Sequence, residues 1–267
     1  MSTETGTPRS PAGASRPQLR SITTEGWRRG IAPLLRKELG QWWGTRQWLV
    51  QAVTWLVLIN GVVGMVMLTD PSEDPVTLFL LLGMLTTAIG VVVTTQGAIV
   101  GEKQRGTAAW LMSKPISRSS FLLSKLGGYA TGFWALAVAL PAAVYVVESL
   151  AITGSSPGVR PLLGALALWA LHVLVYLALV LALGTLFRSR GPVAAVGVGT
   201  ILAGQFFGGM VPLPVVTVLP WILPDLASAV AHGDAVPVSV PLVVAANLTT
   251  VVVATGVGIW RLTRQEL

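Results

Sequence analysis

Six stretches of this chain run for twenty residues or more without an acidic or basic side chain other than one histidine. They are Trp48–Leu68, Val76–Val100, Leu126–Val147, Pro161–Phe187, Pro192–Val211 and Pro241–Trp260. A helix of about 20 residues crosses a hydrocarbon layer about 30 Å thick. Valine, isoleucine and glycine are frequent in these runs, which in water would favour strands. In lipid only helices and closed barrels satisfy their own backbone. The runs are continuously apolar and do not alternate, so they select helices over barrel strands. The expected fold is an all-α polytopic membrane protein with six transmembrane helices.

Composition agrees. The chain is 53% hydrophobic and 11% charged, whereas soluble domains carry about 25% charged residues. There is no cysteine, so neither a disulfide framework nor a thiolate metal site nor a cysteine nucleophile is available. The net charge of +7 fits a membrane protein facing anionic headgroups better than a nucleic-acid binder.

Placing the N-terminus in the cytoplasm puts seventeen of the eighteen Lys and Arg residues on the cytoplasmic side, with only Arg160 outside. Asp70, Glu73, Asp74, Glu148, Asp225 and Asp234 then lie outside. The lysine and arginine bias therefore predicts six spans in the cell (plasma) membrane with both termini cytoplasmic.

Residues 1–30 are rich in Ser, Thr, Pro, Gly and Arg without apolar periodicity, and read as a disordered cytoplasmic tail. No apolar core of the length a secretory signal needs follows this basic region. Residues 31–267 form one transmembrane domain. Between Ile31 and Trp43 the apolar positions fall at helical spacing, with Arg36, Lys37 and Gln41 largely opposite. Trp42 and Trp43 suit headgroup depth. This segment is expected to be an interfacial helix along the inner membrane surface.

The connection between spans two and three is a basic island: Gly101-Glu102-Lys103-Gln104-Arg105-Gly106-Thr107, then Lys114-Pro115-Ile116-Ser117-Arg118. Gly106 is expected to break the end of span two. Thr107 and Pro115 bracket a short helix over Ala108–Met112, and Ser117 or Ser119 caps span three. Without any family likeness, a solvated loop whose charges only enforce topology is the competing reading. Past span five, Pro212–Val240 carries five prolines around an apolar stretch, Val215–Leu223, too short to cross. It is expected to be an extracellular hairpin, either re-entrant or lying on the surface.

Chemistry within the spans is sparse. His172 is the one ionisable residue placed well inside a span, with Glu148 at the outer end of span three. There is no zinc-protease, serine-hydrolase or phosphate-cradle motif. No catalytic residue and no metal ligand is therefore assigned. Energy for uphill movement would have to come from another polypeptide. Gly61, Gly64, Gly204 and Gly208 permit close helix approach, either within the chain or along a seam with a second copy.

The chain resembles the permease subunits of type-two ABC exporters. The likeness rests on Leu34-Leu35-Arg36-Lys37-Glu38-Leu39, on Glu102 to Thr107 with Leu111 to Arg118 and Phe121 to Lys125, and on the ending Arg264-Gln265-Glu266-Leu267. Where that family often has Leu-Glu after Gly-Thr, Ala108 and Ala109 stand here. The resemblance implies an N-terminal elbow helix, a short cytoplasmic coupling helix and a hairpin between spans five and six. It implies a separate ABC ATPase (nucleotide-binding) subunit, which carries the ATP and magnesium, so that this chain binds no cofactor. It also implies a second permease copy or a related permease beside this one, in membrane lipid. Glu102, Arg105, Gly106, Thr107, Lys114, Pro115 and Arg118 become the expected ATPase-coupling residues, with Lys37, Glu38, Trp42 and Trp43 in the elbow. An ion-coupled carrier working alone and an intramembrane enzyme using His172 remain the alternatives.

Overall fold

The computed structural model describes residues 26–70, 72–106, 116–236 and 238–265. All regular structure among them is helical. Helix α1 spans Ile31–Trp43. Five helices long and apolar enough to cross a membrane follow, α2 (Gln47–Thr69), α3 (Pro75–Gln104), α4 (Arg118–Thr153), α5 (Val159–Leu186) and α6 (Arg190–Met210). After a short helical turn at Leu213–Val216 comes α7 (Leu223–His232). The sixth long helix, α8 (Val240–Thr263), closes the chain. The six expected spans thus all appear as helices, with ends shifted by a few residues in most cases.

The exception is α4, which begins at Arg118 and not near Leu126. Ser117 caps it, its hydroxyl accepting from the Ser120 backbone N–H at 3.1 Å. The N-terminus of α3 is capped by Asp74, which accepts from Val76 and Thr77, with Pro75 in the first turn. The early start of α4 gives α1 a partner to lie along. It also draws Lys125 into a helix.

Helix α5 is the central post. Most of its side chains are buried, and it packs against α8, α7, α3 and α4. By contrast, α6 and α8 leave large apolar side chains such as Phe206, Met210 and Val252 exposed. In lipid such a surface costs nothing, because the solvent is itself apolar.

Tryptophans organise the contacts. The rings of Trp42, Trp55, Trp169 and Trp221 sit against Gly132, Gly90, Gly83 and Gly204 on neighbouring helices. An added Cβ on any of these glycines would lie within 2.5 Å of ring carbon. Trp169 also donates from Nε1 to Thr87 Oγ1 at 2.9 Å, and Phe79 stacks on Tyr145 at 4.2 Å. The Gly204 of the Gly-x-x-x-Gly pattern is therefore occupied within the chain.

Two helices contain π-helical turns, Leu56–Gly61 in α2 and Trp134–Ala139 in α4. The second lies just before Pro141, which has no N–H to continue an α-helical ladder. Asn60 of the first wide turn donates to the Pro141 carbonyl at 3.1 Å and to Glu148 Oε2 at 3.0 Å. Thus the carboxylate expected at the outer end of span three is tied to span one. Gly64 leaves it room.

Candidate functional site: a buried ionic junction

Helix α1 presents Leu34, Glu38 and Trp42 to the protein interior, one residue per turn. A glutamate in the middle of a buried stripe demands a partner, because an isolated buried carboxylate is strongly penalised. Gly128 of α4 lets it in: an added Cβ there would be 2.6 Å from Glu38 Cβ. One turn earlier on α4, Lys125 donates from Nζ to Glu38 Oε1 at 3.2 Å and to Glu102 Oε1 at 2.9 Å. Lys37 reaches the same Glu102 oxygen at 3.2 Å. The side chains of Lys125, Glu38 and Glu102 are 3%, 4% and 8% exposed, while that of Lys37 is 38% exposed.

Two carboxylates and two ammonium groups make a formally neutral quartet joining α1, the end of α3 and the start of α4. Burying two charges costs several kcal/mol each, of order, unless geometry and further hydrogen bonds compensate. Here Lys125 donates to both carboxylates, and each of the two ammoniums has an acidic neighbour. Glu102 Oε2 is buried without a hydrogen-bond partner among the described residues.

Around the quartet, basic side chains tie helix ends together. Lys103 donates to the carbonyls of Gly184 and Thr185 at 3.1 and 2.7 Å, closing the end of α5. Gln265 donates to the same Thr185 carbonyl at 2.9 Å. Arg118 donates to the Leu262 carbonyl at 2.7 Å and to that of Thr263, capping α8.

These contacts revise several expectations. Glu102, expected to belong to an exposed coupling surface, is an interior ion. Arg118 has an internal partner. Trp42, expected at headgroup depth, lies in the protein interior, edge-on to Tyr129 and Phe133 at 5.8 and 5.6 Å, whereas Trp43 is exposed. Few ionisable residues were expected well inside the spans, and Glu102 and Lys125 lie just beyond the limits read for spans two and three; what that reading did not include is their burial together with Glu38. The apolar-run criterion began span three at Leu126 and excluded Lys125 by one residue. The signal available was the unbroken helical potential of Arg118–Lys125 after a serine cap.

Arg105 is exposed, and Gly106 ends α3 in the left-handed region at φ +70, where a Cβ is disfavoured. Thr107, Lys114, Pro115 and the expected Ala108–Met112 helix lie outside the described residues. His172 is buried, packs edge-on to Tyr176 at 4.9 Å, and its Nδ1 has no partner among the described residues. It gathers no carboxylate or nucleophile around it in the contacts observed.

Residues 19–221 match the family described as ABC-2 family transporter protein. The chain is also 30% identical over 146 residues to the uncharacterized transmembrane protein YxlG of Bacillus subtilis (strain 168). That match covers 54% of this chain and 55% of the relative, so it spans about half of each protein. With the family match extending over most of its length and six helices long enough to cross a bilayer, the chain belongs to the ABC-2 transporter family of multi-pass membrane proteins.

Proposed function

We propose that this chain is the permease subunit of an ATP-driven exporter of the cell membrane. It works with a separate ABC ATPase subunit and with a second permease copy or a related chain. Both termini face the cytoplasm, in keeping with the lysine and arginine bias. Helix α1 serves as the interfacial elbow, the 107–115 connection engages the ATPase, and the α7 hairpin lies at the outer leaflet.

The observation that carries this reading is the quartet of Lys37, Glu38, Glu102 and Lys125. It fastens α1 to both helices that flank the 107–115 connection. A push on that connection is then delivered to α1, α3 and α4 together. In this arrangement the quartet transmits force, and docking falls to Lys114 and its neighbours. Arg118, held by the end of α8, is a poor choice for testing docking.

Co-purification of the ATPase from native membranes tests this. Lys114→Glu is expected to lose the ATPase while inserting normally. Undiminished recovery of the ATPase with the variant would remove Lys114 from the docking surface. Transport in vesicles driven by a proton gradient without ATP would favour an ion-coupled carrier instead.

A further inference from the structure

At the end of the bundle opposite the ionic quartet lies a half-open cavity of about 900 Å³. Leu82 and Leu85 of α3, Gly208 of α6 and Trp221 before α7 contribute to its walls. Besides the Trp221 indole, its polar side chains among the described residues are Gln205 and Asp225, and backbone groups add to its polar surface. Pockets for small molecules typically enclose about 300–1,000 Å³ and combine apolar walls with a few directed polar groups.

The chemistry of the walls narrows the occupant. Among the described residues, Asp225 is the sole ionisable side chain lining the cavity. It makes no hydrogen bond or ion pair with any described residue. Its neighbour on the wall, Trp221, spends its indole N–H on the Thr200 carbonyl at 3.0 Å, so the ring face and edge are left as apolar surface. Gly204 holds that ring in place, and a side chain there would displace it. Asp225 is exposed, so its carboxylate is open to a ligand, while the neighbouring atoms that do shield it push its pKa up. An exposed carboxylate without a protein partner among the described residues, beside an apolar and aromatic wall, is complementary to a cation carrying an apolar body.

We infer that this cavity binds an amphipathic monocation, with Asp225 as counter-charge and α3, α6 and Trp221 as the apolar seat. As a substrate-binding role it rests on the exporter reading above, but the binding event itself requires neither the ATPase nor transport. The two ideas therefore fail separately. Lys114→Glu reports on the motor, and the following assay reports on the cavity.

The assay is equilibrium binding of radiolabelled tetraphenylphosphonium to the purified chain in lipid nanodiscs. Wild type is expected to bind saturably. Asp225→Asn is expected to weaken binding by at least about tenfold, since one partner of a charge pair is removed. Asp225→Glu should retain most of it. An uncharged tetraphenyl analogue should bind wild type and Asp225→Asn alike, which shows that the cavity of the variant is intact. Equal tetraphenylphosphonium affinity in wild type and Asp225→Asn would mean simple lipophilic partition and overturn the assignment. So would a lack of saturable binding, or a preference for tetraphenylborate. Cross-linking of Val216→Cys between two copies, without tetraphenylphosphonium binding, would give the cavity to a second copy and also overturn it.

Discussion

Glu102 and Asp225, near opposite ends of the helix bundle, are handled in opposite ways. At one end Glu38, Glu102 and Lys125 are buried deeply and matched to one another across three helices. At the other, Asp225 stands without a partner among the described residues on the wall of an open apolar cavity. Buried matched ions resist separation, because pulling one away strands the other. An unmatched carboxylate at an accessible cavity invites a visitor. A locked ionic cluster thus lies next to the basic connection, and an open carboxylate lies beside α7. That is the distribution expected if force enters at one end and cargo contacts the other.

The largest expected effect comes from breaking the matched end. Lys125→Met leaves two buried carboxylates with only the partly exposed Lys37 beside them, and is expected to cost about 3 kcal/mol. It should be read as a large loss in thermal stability of the purified protein. Adding Glu38→Gln and Glu102→Gln to Lys125→Met should recover much of it, since no net buried charge then remains. A triple variant no more stable than Lys125→Met would mean that packing, and not charge, holds the junction.

A middle-sized effect contrasts filled with empty space. Gly83→Ala drives a Cβ to within 2.1 Å of the Trp169 ring and is expected to cost about 1–3 kcal/mol by overpacking. Gly208→Ala meets nothing within 4 Å and should leave stability unchanged. Equal losses at both positions would erase the distinction between a packed interior and an open cavity wall.

The smallest effect is a pH dependence at the α7 end. His232 Nε2 lies 2.9 Å from Asp74 Oδ2, joining α7 to the cap of α3. Its Nδ1 bonds the Ser228 carbonyl at 2.8 Å. That bond is the largest influence and raises the His232 pKa above its ordinary value of 6.5; burial opposes it, and Asp74 and then Asp234 add to the rise. For Asp74 burial acts upward, but the bonds from Thr77 and the His232 charge outweigh it and hold the carboxyl below 3.8. The stabilisation from His232 is complete below pH 6.5 and is lost as pH rises through its raised folded value. The Asp74 contribution is present above 3.8 and is lost as pH falls through its lowered one. The hairpin should therefore be held best in mildly acidic solution. Both groups are substantially exposed, so the gain is at most about 1 kcal/mol. Hydrogen exchange of α7 between pH 5.5 and 8 measures it, and His232→Gln should flatten the profile.

Much of the architecture was legible in the sequence because lipid imposes a blunt rule. An apolar run of sufficient length must become a helix, so six runs became six helices. The serine cap at Ser117 and the stop at Gly106 were legible for similarly local reasons. The ionic junction was not, because its members stand far apart in the chain. Lys37 and Glu102 are separated by 65 positions, and Glu38 and Lys125 by 87. Local pattern placed Lys37 and Glu38 on a surface helix and Glu102 on a loop, where charge is unremarked. Only the approach of α4 at Gly128 reveals why Glu38 is tolerated inside. Asp225 was read simply as one of the outer acidic residues, since nothing local shows that a cavity lies beside it.

The wide turns at Leu56–Gly61 and Trp134–Ala139 carry a consequence for how α2 and α4 are phased. Each holds an additional residue compared with a plain α-helical turn, so the two halves of either rod aim their faces independently. Deleting one residue from 134–139 would swivel everything beyond it by about 100°. Tyr145 would be turned from Phe79 and Glu148 from Asn60. Which faces the far halves of α2 and α4 turn inward thus hangs on two single-residue expansions partway along them.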